Sequence, residues 1–453
     1  MRTHSQPHPR RAGRAEGPGA LGPVGFLPTW THLLDGDAPA LPPRPGRKPR
    51  VPLTHVLSAL TFHVMKATGT LGEHFTELFQ TPLAESSLAD RRARVPWAIF
   101  AELMHRMLRP RATPEGEPEA FWRGWRLLAI DGTQFSLTNA PAIKRHATKA
   151  RTRRGRAAFA KLPTAVLLEV GLHNPVAAAV GREGESEGAL ARTLWSAIPA
   201  QALVLADRLY GTGAGAAALY AACTRVGSHF LVRAQTTVKG RLLERLPDGT
   251  GLLCVPVKRP SRPQPDLRTL TVREICVRVA RPGQRATTLR LWTTLLDPRT
   301  APALEIARLY AERWEQELYF RDVKHQLRRT DLLLSHTVET AAQEVAAIVL
   351  ASALLAVERA RAADGHVPVL RVSFAKMLPI VEGMWFTLDI AAPVLTEDQK
   401  QFILTQMYER MRQHLTPKRR ARSCPRAVRQ PVTKWPRLRR NTSVDGPFEF
   451  TIV

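Results

Sequence analysis

Leu127-Leu-Ala-Ile-Asp131-Gly-Thr-Gln134 sets a carboxylate directly behind four apolar residues suited to a buried strand. Burying an ionised group there is costly unless it is paired, hydrogen-bonded or bound to a metal. Asp131-Gly132 also reads as a turn dipeptide that ends the strand at Ile130, and on the dipeptide alone that reading is the better one. The pattern returns at Leu203-Val-Leu-Ala-Asp207-Arg-Leu-Tyr210, where the loop and the functional readings balance. Open α/β sheets carry their ligands at the C-terminal ends of strands. Two such acids able to lie side by side point to a metal site.

Around these acids the chain alternates in period. Leu127–Leu137, Leu162–Leu172 and Pro175–Gly181 are apolar, β-prone runs bounded by Gly, Asn or Pro. A helical stretch from Glu187 to Ile198 follows, with Ser186 as its N-cap. Then come a strand at Ala202–Ala206, a helix around Ala214–Arg225 and a strand at His229–Arg233. This order predicts an α/β core with a mixed sheet. Short alternating stretches at Leu252–Val257, Leu270–Val279 and Thr287–Trp292 predict a β-rich insertion over 234–291. The rest reads as helical regions and basic extensions: a flexible basic arm over 1–50, a small helical domain over 51–115, and the α/β domain with its insertion over 116–330. A helical region over 331–415 and a basic tail over 416–453 complete the expected layout. From Pro302 to about Leu327 the reading is one long helix, then a helix at Val338–Ala363 and a last one near Glu397–His414.

Composition narrows the partner. The 453 residues carry 66 Lys and Arg against 39 Asp and Glu, a net charge of +27, with 44% hydrophobic residues. That hydrophobic content supports real cores, and the charge favours a polyanion. A membrane surface is the weaker rival, since the longest apolar run, Val345–Val357, falls short of the ~18 residues a span needs. No secretory signal is visible. Cys223, Cys254, Cys276 and Cys424 show no paired spacing and read as reduced thiols, neither disulfides nor a zinc site. No phosphate-binding Gly-rich loop with its Lys is present, so ATP is not expected.

The most specific segment is Tyr310-Ala-Glu-Arg313-Trp-Glu-Gln-Glu317-Leu-Tyr-Phe-Arg-Asp-Val-Lys324. At ~100° per residue, offsets of 3, 7 and 14 bring Arg313, Glu317 and Lys324 within about 60° of Tyr310. A solvated, salt-bridged helix face would look the same. However, Tyr310-x2-Arg313-x3-Glu317-x6-Lys324 resembles the Y-R-E-K signature of the insertion-sequence-four family of DD-E transposases. Asp131-Gly-Thr and Asp207-Arg-x-Tyr210 resemble that family's first and second acidic motifs, in the right order. The resemblance runs from roughly Leu53 to Arg440.

The resemblance implies a ribonuclease-H-like core whose catalytic triad is Asp131, Asp207 and Glu317. These would hold two divalent ions per site, Mg²⁺ or alternatively Mn²⁺, since hard carboxylate oxygens suit Mg²⁺. Two ions can assist both the attacking and the leaving oxygen of a phosphoryl displacement. The implied activity is cleavage of double-stranded DNA at insertion-sequence ends and strand transfer into target DNA, by a homo-oligomer acting at the nucleoid in the bacterial cytoplasm. The alternatives are an inactive, transposase-derived DNA-binding protein and a nuclease of the same fold that cuts without joining. Tyr310, Arg313 and Lys324 would contact DNA phosphates. Trp292 holds the position from which an aromatic of the insertion could hold a flipped base, although core packing is the better reading. The basic run Lys144–Lys161, with Lys144, Arg145, Arg151, Arg153 and Arg154, is the candidate phosphate-contacting loop. Glu183, Glu185 and Glu187 read as ordinary acids at a helix start rather than as extra metal ligands. The 14 histidines show no ligand spacing.

Overall fold

A computed structural model describes residues 25–34, 36, 39, 51–149, 151–152, 155–257, 268–280, 286–328, 330–391, 393–417 and 449–452. Five helices open it: α1 (Phe26–Leu34), α2 (Leu53–His63), α3 (Leu71–Phe79), α4 (Glu85–Ala93) and α5 (Trp97–Met107). A polar side chain caps the start of α3. Thr70 accepts from Glu73 N while Glu73 accepts from Thr70 N, so both ends of the α3 capping box are made.

The central part begins with the stub β1 (Phe121–Trp122), β2 (Trp125–Ser136), the short helix α6 (Pro141–His146) and a small hairpin, β3 (Arg151–Thr152) and β4 (Gly155–Arg156). It continues through β5 (Lys161–Glu169), β6 (Asn174–Val180), α7 (Glu187–Leu194), β7 (Ala202–Ala206), α8 (Gly213–Thr224) and β8 (His229–Arg233). The order β6-β5-β2-β7-β8 is antiparallel from β6 to β2 and parallel from β2 to β8. That is the mixed sheet of a ribonuclease-H-like core.

Every residue of β7 is buried, as befits a central parallel strand covered on both faces. Val204 packs with Leu219, Phe230 and Trp292 on one face, and Leu203 and Leu205 pack with Ile306 and Tyr310 on the other. Each such fully buried Leu or Val stabilises the fold by roughly 1.5–3 kcal/mol.

The β-rich stretch expected over 234–291 lies in the main sheet. β9 (Arg241–Arg245), β10 (Gly251–Pro256), β11 (Thr269–Ala280) and β12 (Thr287–Thr293) continue the main sheet, because β12 pairs directly with β8.

The last part holds α9 (Ala303–Leu309), α10 (Trp314–Arg321), α11 (Val338–Ala363), α12 (Phe374–Ala391), α13 (Glu397–Arg412) and β13 (Glu449–Ile452), which pairs with β11. α11 is long and apolar enough, by composition, to cross a membrane, which the apolar-run argument did not anticipate; 89% of its apolar window is buried inside the protein.

Two more expectations change. α1 lies inside the stretch read as a free arm, yet Phe26, Trp30 and Leu33 are buried and Phe26 packs edge-on against Trp385 at 5.5 Å. The helix expected after Pro302 is not uniform: Tyr310–Arg313 winds as a 3₁₀ turn between α9 and α10, and Asp322–Leu327 continues α10 as a π-helix.

Candidate active site

The register of the sheet brings the first two acids level. β2 and β7 pair in parallel up to Ile130↔Ala206, so the next residues of the two segments are Asp131 and Asp207. Asp131 is not at a turn. β2 runs on through Gly132 to Ser136, with Asp131 opposite Val166 of β5, and this overturns the turn reading of the dipeptide. Asp131 Oδ1 accepts from Gly132 N at 2.8 Å, and Asp207 Oδ1 accepts from Leu209 N at 2.7 Å, which fixes each carboxylate on its own backbone.

The third acid arrives from α10. Arg313 donates to Asp131 Oδ2 at 3.3 Å and to Glu317 Oε1 at 2.9 Å, so one guanidinium bridges the two carboxylates. Tyr310 precedes Arg313 by one 3₁₀ turn, a geometry that stacks residues three apart. Burial lifts the Tyr310 hydroxyl to about 12, against the pull of Arg313. Lys324, in the π-helical segment, donates to Gln134 O at 2.9 Å, three residues beyond Asp131 on β2. Burial pulls the Lys324 ammonium down to about 8, with Lys161 and Arg328 adding like-charge repulsion.

The electrostatics favour a cation. Burial pushes the Asp131 carboxyl up to about 7; Glu187 and Asp207 push the same way, while Gly132 N and Arg313 oppose it. Burial also raises Glu187, with Asp207 adding to the rise and Tyr210 opposing it. Carboxylates that disfavour one another's charge are relieved by a bound divalent ion. Among the described residues no three acidic, His or Cys side chains converge at metal-ligand spacing. In this arrangement the charge of Arg313 stands between Asp131 and Glu317. The donor set, all hard oxygen, fits a divalent cation of the Mg²⁺ type.

The other expected residues fall in three groups. Lys144 and Arg145 are exposed on α6. Arg151 lies on the small hairpin, and Arg153 and Arg154 lie outside the described residues. Trp292 must be withdrawn as a base-holding residue: it is completely buried, and its indole N–H donates to Glu274 Oε2 at 2.9 Å. Trp292 packs with Val204, Leu219 and Phe230, and Glu274 and Arg290 close the polar end of its pocket.

Glu187, read as a helix-start acid, instead reaches the centre: a Cβ on Gly132 would lie 2.3 Å from its carboxyl carbon. The signal was in the sequence as the glycine after Asp131, but spacing alone does not say which side chain fills the space it leaves. Lys161 was also passed over as an individual residue; it donates to Ser136 Oγ at 2.5 Å, near Lys324.

Residues 122–354 match the family described as the transposase DDE domain. The chain is 27% identical over 327 residues to the transposase InsG for insertion sequence element IS4 of Escherichia coli (strain K12), covering 70% of this chain and 71% of that protein. It is 26% identical over 228 residues to InsZ of the same organism, covering 47% of this chain and 73% of that protein.

Proposed function

The chain belongs to the transposase DDE family, an enzyme class that cleaves and joins DNA, and from that premise we propose that Asp131, Asp207 and Glu317 are its catalytic acids. They would act at the ends of an insertion sequence and then on target DNA. The observation that carries the reading is the Arg313 bridge between Asp131 and Glu317, next to a strand register that sets Asp207 level with Asp131.

The three carboxylates would hold two Mg²⁺ ions, or Mn²⁺ in their place. When bound, these supply the positive charge that lets an oxygen nucleophile approach a phosphodiester and the leaving oxygen depart. The chain's own residues do the rest. Asp131, buried and fixed by Gly132 N, presents Oδ2 toward Arg313. Arg313, held between Asp131 and Glu317, carries a planar fork that would match a DNA phosphate bidentately. Lys324 sets a point charge beside Gln134, on the path of a strand that reaches Asp131 along β2. Lys144 and Arg145, exposed on α6, would add phosphate contacts.

The reaction calls for no ATP, and we take the working form to be a homo-oligomer holding two element ends, at the bacterial nucleoid. The test is Glu317→Gln on the full chain with cognate ends and Mg²⁺. End binding should persist in a gel-shift assay while both nicking and strand transfer are lost; retained cutting removes Glu317 from the centre.

A further inference from the structure

We propose that Glu187 is a fourth carboxylate of this centre, a positioning residue that holds the Asp131 and Asp207 segments in the arrangement that takes up divalent cation. The proposal rests on the reading of Asp131, Asp207 and Glu317 as the cation-binding acids.

Its first support is steric. A Cβ at position 132 would come within 2.3 Å of Glu187 Cδ, 2.4 Å of Cγ and 2.5 Å of Oε2. The Glu187 side chain therefore lies flat on the backbone immediately after Asp131, in space that only glycine leaves open. Its second support is a hydrogen bond from the opposite side. The Tyr210 hydroxyl donates to Glu187 Oε1 at 3.3 Å, and Tyr210 N donates to Asp207 O, also at 3.3 Å, within one turn. Tyr210 is 3% exposed, so this arm cannot swing away without opening the core. Glu187 thus touches the segment of the first acid and the segment of the second at once.

The start of α7 holds it there. Ser186 caps the helix by accepting from Ala189 N, and Leu190, Ala191 and Leu194 bury the same helix on the sheet. An acid serving only the helix dipole would do so equally well facing solvent. Glu187 is half-buried and lines, with Gly132, Gln134, Lys161 and Glu185, a cleft of about 620 Å³.

Outer residues that orient metal ligands typically change metal affinity or activity 10–100-fold when altered. The test is Mn²⁺ binding to the full chain, read from loss of the free-ion electron paramagnetic resonance signal, with no DNA present. Glu187→Gln should weaken Mn²⁺ binding by at least about tenfold, and Glu187→Asp should recover part of it. Gly132→Ala, which pushes the carboxylate off its seat without removing its charge, should give a similar loss and add little on top of Glu187→Gln. The Gly132 variant keeps the question open to test if Glu187→Gln folds poorly. Asp131→Asn runs in parallel. If it binds Mn²⁺ like the parent, the reading of the centre fails; if it loses binding while Glu187→Gln and Gly132→Ala keep theirs, only the role of Glu187 is overturned.

Discussion

At Asp131 burial and charge conflict. Burial is the largest influence on its carboxyl, which sits at about 7 against an ordinary 3.8. A carboxyl raised in the folded state binds its proton more tightly there than in the unfolded chain. Folding is therefore favoured by this group as pH falls from about 7 toward 4, and above 7 the fold bears the full cost of a buried negative charge. In EDTA, Asp131→Asn should be more stable than the parent at pH 8, by on the order of 2–4 kcal/mol at 1.36 kcal/mol per pKa unit, and no more stable near pH 4. Urea unfolding at the two pH values checks this, and equal stability at pH 8 would show that Asp131 carries no such cost. Divalent cation should reverse the sign, since it favours the ionised form. That Asp131 and Asp207 end apolar runs was legible in the residues before them, while the roles proposed for them and for Glu317 rest on the resemblance to the family's motifs. Glu187 was not, because its place depends on the helix that begins with it lying against Gly132, a tertiary fact. Burial was already the better reading of Trp292 in the sequence, and the sheet continuing past β8 supplies the cover.

At the scale of elements, a uniform helical projection puts Tyr310, Arg313, Glu317 and Lys324 on one face, and the chain serves that face by changing its winding twice. The first turn is tightened to 3₁₀, which aligns Tyr310 with Arg313, and the last is loosened to π, where Arg328 N reaches back five residues to Val323 O. Val323 and Leu327 are buried, and Lys324 is tied to Gln134 O. Tertiary partners thus decide a winding that residue spacing alone does not reveal. If Lys324 meets one DNA phosphate, Lys324→Ala should weaken end binding to all sequences alike and reduce the log–log salt slope by about one. An unchanged slope would place its ammonium off the DNA. α1 was illegible for another reason: its nine residues sit in a Pro-, Gly- and Arg-rich stretch too short to show a period. Its seat is specific all the same. Gly25 has φ +97° just before the helix, and a Cβ there would meet Asp389 Oδ1 at 2.4 Å. Gly25→Ala should cost about 1–3 kcal/mol, seen as a lower melting temperature; no shift would mean that α1 does not stabilise the fold.

Across the whole molecule, helices from both ends of the chain form one body, although the linear reading divided them into two domains. Phe26, Leu57, Phe100 and Leu103 share a core with Val345, Leu350, Leu354 and Trp385, and α11 runs through it. Arg92 of α4 donates to Ser335 Oγ and Thr340 O, and Gln343 donates to Val95 O, so the start of α11 is pinned by the N-terminal helices. The same helix start also meets the catalytic sheet. Glu339 accepts from Trp97 N at 2.9 Å and from Arg182, just beyond β6, at 2.8 Å. One carboxylate therefore joins α5, α11 and the sheet edge that leads into α7 and Glu187. Glu339→Ala removes the acceptor for both donors, and at a net 0.5–1.5 kcal/mol per hydrogen bond, more where a charge is involved, the loss should be about 1–3 kcal/mol. It should appear as a lower urea midpoint with an unchanged slope, because the same surface is still exposed on unfolding. A shallower slope would mean instead that the helical body and the sheet unfold separately once Glu339 is gone, which would make this carboxylate the coupling between two folding units.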